Sequence, residues 1–309
     1  MHGEAFIYSC FIRSRDLPIT INLQYQDEGA YDSPLNGAFF STVVGRLLGS
    51  VGHCHTKRCK ALTWFSNNSD MDAYAFCKIF PSQLEMLESF SLHSFVPYGR
   101  ELDDDETLSG LRFPRCPNLK EVSLIDHRET ELSSFFHDDD LGRVEKLTFG
   151  VVTGWMPDDI VCISRYRNIH SLTLFDGSYF GPDGGRHIDV LPTGSTSVHL
   201  PHLKALLVIG YIPNHILESI RAPGLLSLSL DTDGGSHHTL ESIPTTLLTT
   251  LLSIYISFRP LPTPSWVPLL HPIVSNAPRL SDLFIAGWMK SALEVEDWYR
   301  QLKVVCHCL

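Results

Sequence analysis

A short apolar phrase, Leu-x-x-Leu-x-Leu, returns along most of this 309-residue chain and constrains the possible fold more than any other feature. Nine copies can be placed, each with three apolar anchor residues, and successive first anchors lie 22 to 34 residues apart. Such spacing is typical of repeat arrays in which each unit extends a shared core. The anchors are Cys59, Leu62, Trp64; Leu87, Phe90, Leu92; Leu119, Val122, Leu124; Val144, Leu147, Phe149; Ile169, Leu172, Leu174; Leu203, Leu206, Val208; Leu225, Leu228, Leu230; Leu251, Ile254, Ile256; and Leu280, Leu283, Ile285.

The phrase predicts a short strand in each copy, because its second and third anchors are two residues apart and point to one side of a strand. Between the strands, helical spacing recurs in residues 157–167, 213–221, 266–276 and 294–303. The sequence therefore predicts an α/β fold, a leucine-rich-repeat solenoid with irregular repeats. Its curved parallel sheet should carry the helices on the convex side.

Four prolines support this register, because each lies two residues before a first anchor. We expect a proline there to stop the preceding helix without removing a donor from the sheet. The four are Pro117, Pro201, Pro223 and Pro278.

The first 58 residues follow another pattern and predict an N-terminal cap. They contain a strand over residues 19–23, a loop over residues 27–37 and a helix whose apolar positions fall within residues 40–51. A solenoid needs atypical end units to cover its core. Residues 59–309 should form about nine repeats, continuous with the cap as one domain.

The residue between the second and third anchors should point out of the sheet, as should the residue just after the third anchor. In most copies the former is serine or threonine, so large apolar side chains there are candidates for a partner-binding concave face. An equally weighted alternative is that the C-terminal segment folds over them. The candidates are Phe175, Leu207, Ile209, Tyr255 and Phe284.

Composition limits the partners and the compartment. With 35 acidic and 24 basic residues the net charge is −11, which repels nucleic acid and anionic membranes. The eight cysteines form no Cys-x-x-Cys pair, which indicates reduced thiols in a cytoplasmic or nuclear protein. Residues 1–12 lack the basic leader of a signal peptide, and the most apolar stretch, residues 247–258, is too short to span a bilayer.

Several segments contain residues of the kinds that form metal or catalytic sites, but none predicts a catalytic residue, a cofactor or a metal. Residues 53–55 (His-Cys-His) with Cys59 suggest zinc but lack a second ligand pair, and residues 231–235 resemble a calcium loop without its closing glutamate. We interpret the latter as a turn and the adjacent His237 and His238 as solvated. The terminal Cys306-His-Cys-Leu fits a prenylation signal with little basic support.

Five segments together resemble the F-box and leucine-rich-repeat proteins of mushroom-forming fungi (Agaricomycetes). The resemblance implies the substrate-recognition part of an SCF ubiquitin ligase, whose N-terminal F-box binds a Skp-type adaptor. No Leu-Pro-x-Glu phrase followed by three short helices precedes Ile19, so adaptor binding is expected only if an upstream F-box exists. The segments are residues 11–23, 53–64, 116–124, 222–230 and 276–285.

Taken together, these patterns predict a non-enzymatic protein–protein interaction module whose concave face binds a protein substrate or partner. Three alternatives stay open: a decayed or truncated paralogue without adaptor binding, a prenylated membrane-associated adaptor, and an unrecognised hydrolase.

Overall fold

The computed structural model describes residues 13–14, 16–24, 57–66, 83–94, 113–125, 136–151, 155, 157–176, 197–210, 212–233, 243–259 and 267–287. Within these residues the fold is α/β, with parallel strands and a few short helices. The chain divides into two compact units, Met1–Glu145 and Lys146–Leu309. That the cap and the repeats form one continuous domain stays a prediction.

The described residues of the first unit form four strands that pair in chain order, all parallel. The predicted strand over residues 19–23 is confirmed and pairs with the strand of the first copy, where Ile19 stands opposite Cys59. The predicted loop over residues 27–37 and the helix over residues 40–51 lie outside the described residues. The elements are β1 (Ile19–Gln24), β2 (Cys59–Ser66), β3 (Ser89–Ser94), β4 (Glu121–Ile125) and the short helix α1 (Asp138–Leu141).

In the second unit, the part of the chain that the structure describes forms six parallel strands in one sheet and a separate pair of two-residue strands. The sheet strands are β5 (Lys146–Val151), β6 (Ser171–Asp176), β8 (Ala205–Ile209), β10 (Ser227–Asp233), β11 (Ser253–Arg259) and β12 (Asp282–Gly287). The separate pair is β7 (Val198–His199) and β9 (Ile220–Arg221). The helices are α2 (Pro157–Ser164), α3 (Asn214–Ser219), α4 (Thr245–Leu248) and α5 (Val267–Ser275).

Three of the four predicted helices are confirmed with shorter bounds, as α2, α3 and α5. The prediction over residues 213–221 was too long, because Ile220 and Arg221 leave the helix to pair as β9 with β7. The fourth prediction, residues 294–303, lies outside the described residues.

The predicted anchors make up much of the core. Every anchor of the first eight copies is at most 6% exposed. Burial on this scale stabilises a leucine-sized side chain by about 1.5–3 kcal/mol relative to exposure. In the ninth copy Leu280, Leu283 and Ile285 are half-buried, because β12 is the last strand in the sheet order and β11 is its neighbour. Burial of the anchors is therefore confirmed for eight copies and incomplete in the ninth.

A fourth buried residue lies three positions before the first anchor in eight copies. Its residue type varies among the copies, so the repeated phrase does not reveal it. In seven of these copies the amide of the first anchor donates to the carbonyl of this residue, at 3.0 to 3.3 Å. That bond closes a β-turn leading into the strand. The residues are Leu84, Cys116, Leu141, Tyr166, Leu200, Ala222, Leu248 and Ala277.

This turn gives the four prolines a different role from the predicted one. Each occupies the second position of the turn, where the fixed φ of proline is favoured and no amide donor is needed. Pro278 does lie just behind the end of α5, whereas Pro201 and Pro223 follow β7 and β9. The prolines therefore shape the turn, and the prediction that each one stops a helix was wrong for Pro201 and Pro223.

Candidate functional site

The residues between the second and third anchors form one aligned row in each unit, called here the outward row. In the first unit Thr63, Ser91 and Ser123 stand opposite one another on neighbouring strands. Each lies between two buried anchors, so its side chain points to the opposite side of the sheet. In the second unit the row runs in strand order through Thr148, Thr173, Leu207, Ser229, Tyr255 and Phe284.

Tyr255 and Phe284 stand opposite each other on β11 and β12 and are the most exposed members of this row. Their side chains are 43% and 57% exposed, although both are large and apolar. They are called here the aromatic pair. Because the anchors beside them already fill the core, packing inside the sheet does not require rings at these positions.

The other three predicted site residues form a separate apolar cluster. Phe175 on β6 stands opposite Ile209 on β8, and Leu207 lies two residues before Ile209 on the same face. All three are half-buried. This cluster is less accessible than the aromatic pair.

A polar strand separates the cluster from the aromatic pair. β10 lies between β8 and β11 and presents Ser229 and Asp231 outward. Two strand spacings put the cluster and the pair about 10 Å apart. The five predicted residues therefore share one face without forming one unbroken apolar patch.

Small and acidic residues surround the aromatic pair. The outward neighbours of Tyr255 along β11 are Ser253 and Ser257, so its ring stands above them. Asp282, opposite Ser253, is exposed, and its Oδ2 accepts a hydrogen bond from Ser281 Oγ at 2.8 Å. The result is an accessible aromatic surface with carboxylates at its border.

Only one of the suggested metal ligands, Cys59, lies in the part of the chain that the structure describes. Residues 53–55 lie outside it, and Cys59 is an interior anchor whose pKa burial raises to about 12. The Cys59 thiol lies in the core of the sheet and is fully buried. Within the described ranges no group of three or more His, Cys, Asp or Glu side chains could hold a metal ion.

The segment that resembles a calcium loop begins inside a strand and not in the turn that the sequence predicts. Asp231 and Asp233 belong to strand β10, so the interpretation of these positions as a turn was wrong. The rest of that segment, His237, His238 and the terminal Cys306-His-Cys-Leu lie outside the described residues.

A serine–histidine contact occurs on the outward face of the first unit. The two residues belong to different copies, so no sequence motif predicts the contact. Ser123 Oγ lies 3.5 Å from His93 Nε2, and burial lowers the pKa of His93. Neutral histidine could act as a base, but a serine nucleophile needs a base at about 2.6–3.2 Å. The contact is longer than this, so it gives no support to the hydrolase alternative.

No protein-family model matches the chain, and no curated protein matches its sequence. In the described ranges, no helix has both the length and the apolar character needed to cross a membrane.

Proposed function

We propose that this protein is a non-enzymatic leucine-rich-repeat interaction module that binds a protein partner through the outward face of its second unit. The repeat assignment is supported by the aligned, buried anchors on neighbouring parallel strands. The turn that recurs in seven copies supports it further, because the same local structure is built from leucine, cysteine or alanine in different copies.

The aromatic pair is the observation that carries the proposal. Tyr255 and Phe284 occupy positions where six of the other seven aligned residues are serine or threonine in the two rows described above. The exposed part of these two residues contributes no burial energy to the fold, whereas at an interface aromatic residues are among those that most often carry affinity. The half-buried cluster of Phe175, Leu207 and Ile209 would extend the contact across the polar strand β10.

The biological role that we propose is substrate recognition of the kind made by the repeats of an SCF F-box protein, in the cytoplasm or nucleus. Binding to a Skp-type adaptor is part of this proposal only for a chain that carries an F-box. A decayed paralogue would keep the same fold and lose the partner. A substrate-recognition protein and a decayed paralogue therefore differ in one measurable property, the binding of a partner.

Site-specific photo-crosslinking in host cells tests the proposal directly. A benzophenone amino acid replaces Phe284 in one variant and Val161 in the control, because Val161 is also exposed and lies on α2. We expect a discrete crosslinked protein at position 284 and none at position 161.

The crosslinked product must also respond to competition. An excess of unlabelled wild-type chain should suppress it, whereas an excess of the Tyr255→Ala variant should not. Equal crosslinking at both positions, or equal competition by wild type and variant, would show that the aromatic pair is not the binding surface.

A further inference from the structure

We infer that the aromatic pair receives an arginine side chain of the partner, stacked on the rings of Tyr255 and Phe284 and attracted by the charge of the nearby carboxylates of Asp231 and Asp282. This inference rests on the proposed function, because it names the chemistry of the segment that the same surface binds.

The strand register places the two carboxylates on opposite sides of Tyr255. Ser229 stands opposite Tyr255 on β10, and Asp231 is the next outward residue along that strand. On β12, Asp282 precedes Phe284 by one outward position and stands opposite Ser253. From a strand spacing of about 4.8 Å and a rise of about 3.3 Å per residue, each aspartate lies roughly 8 Å from Tyr255, on opposite diagonals.

The local charge favours a cation. On β8, β10, β11 and β12, the charged residues among the outward positions with described side chains are Asp231 and Asp282. Arg259 lies four residues beyond Tyr255, about 13 Å along the strand, where the register pairs it with Asp233. The net charge of −11 adds a long-range attraction for a basic segment.

Arginine fits this surface better than an aliphatic side chain or a lysine does. A guanidinium group stacks flat on aromatic rings, and its positive charge is attracted by carboxylates in the surroundings while its N–H groups, which lie in its own plane, stay open to other acceptors. An aliphatic side chain would remove water from the carboxylates and supply no compensating charge. A lysine ammonium is more strongly hydrated and lacks the planar fork of donors.

Selection from a random peptide library displayed on phage tests the inference without knowledge of the natural partner. The full chain is the bait, and the Tyr255→Ala/Phe284→Ala double variant serves for counter-selection. We expect the peptides that bind the wild type and not the double variant to be enriched in arginine.

One enriched peptide is then titrated against single variants at Tyr255. The Tyr255→Phe variant keeps the ring and should bind within about twofold of wild type, whereas Tyr255→Leu keeps an apolar side chain without a ring and should bind about threefold to tenfold more weakly. Equal binding by Tyr255→Leu would show that simple apolar contact is sufficient and would overturn the inference.

The carboxylates are tested against a matched loss of charge. The Asp231→Asn/Asp282→Asn variant should bind the peptide about fivefold more weakly at low salt, with a smaller effect at high salt. The control, Asp16→Asn/Glu218→Gln, removes two exposed acids elsewhere and should bind within about twofold of wild type. Equal losses in both variants would mean that net charge alone attracts the peptide.

The selection also separates this inference from the proposed function. Peptides that are apolar or acidic, and that the Tyr255→Ala/Phe284→Ala variant fails to bind, would overturn the arginine site and leave partner binding at the aromatic pair in place. Peptides that bind the double variant as well as the wild type, or no enrichment at all, would count against both.

Discussion

The carboxylate of Asp140 takes the place of a main-chain carbonyl beside Cys116, whose amide donates to Asp140 Oδ2 at 2.9 Å. At the equivalent position of another copy, the Leu200 amide donates to the carbonyl of Arg221 at 2.8 Å. The helix α1 occupies the corresponding segment next to Cys116, so a side chain provides the acceptor there. One buried carboxylate thus joins two successive copies.

Replacing Asp140 should therefore destabilise the first unit. Asp140→Ala leaves the buried Cys116 amide without this acceptor, which should lower the free energy of unfolding by about 1–3 kcal/mol. Asp139→Ala is the matched control, because Asp139 is exposed and makes a surface ion pair with Arg115 worth about 0–1 kcal/mol. Urea unfolding of both variants measures the difference, and equal losses would contradict the structural role of Asp140.

Two leucines at the start of β10, one on the strand and one just before it, should respond very differently to truncation. Leu228 is a buried anchor and Leu226, two residues earlier, is 37% exposed. Leu228→Ala should cost about 2–5 kcal/mol, because it opens a cavity between packed strands. Leu226→Ala should cost less than half as much in the same urea titration. If the two variants were equally stable, the assignment of anchors to the core would be wrong.

Gly210 holds a backbone conformation that other residues rarely adopt. Its φ is +82°, and a Cβ atom added there would lie 2.9 Å from the carbonyl oxygen of Asp176. Gly210→Ala should therefore destabilise the second unit by about 1–3 kcal/mol. Gly142→Ala provides the comparison, because a Cβ on Gly142 meets no atom closer than 3.6 Å and its φ is −63°. Thermal unfolding in which Gly210→Ala matched wild type would refute the strain.

The buried thiols should make the protein less stable in alkali. Burial raises the pKa of Cys59 from 9.0 to about 12, and burial also raises the pKa of Cys116. The unfolded chain therefore loses these protons first, so their contribution is complete below pH 9 and is lost as the pH rises towards 12. For Cys59 alone the slope is about 1.4 kcal/mol per pH unit.

Two measurements check this prediction: thiol labelling tests the burial of the cysteines, and urea unfolding tests the loss of stability in alkali. Iodoacetamide at pH 8, followed by peptide mass spectrometry, should modify the half-exposed Cys162 well before Cys59 or Cys116. Urea unfolding at pH 8 and pH 10 should show a larger loss of stability for wild type than for Cys59→Ala. Fast labelling of Cys59 in the folded protein would contradict its burial.

The strands and the core could be predicted from sequence because the anchors repeat the same apolar pattern. The spacing of Leu228 and Leu230, for example, is sufficient to place both on one side of a strand. The turn residue three positions before each first anchor was harder to find, because it can be leucine, cysteine, tyrosine or alanine. What these residues share is burial and, in seven of the eight copies, a hydrogen bond accepted from the first anchor, and neither property is visible as one residue type.

The arrangement of the candidate site could be predicted only in part. Alternation along each strand correctly places Tyr255, Phe284 and Leu207 in one row, which the register confirms. The polar gap at β10 depends on which strands are neighbours in space. The separation of Phe175 from the aromatic pair could therefore not be predicted before the order of the strands in the sheet was known. The role of Asp140 was equally hidden, because a lone aspartate has no repeat pattern.

The most direct test of the proposed function is the dissociation constant of the partner crosslinked at position 284, measured for wild type and for Tyr255→Ala/Phe284→Ala. The proposal predicts a loss of at least about 1–2 kcal/mol in binding, roughly fivefold to thirtyfold, with a nearly unchanged melting temperature. An unchanged dissociation constant together with a lower melting temperature would contradict it, because the rings would then serve the fold of the chain and not a partner.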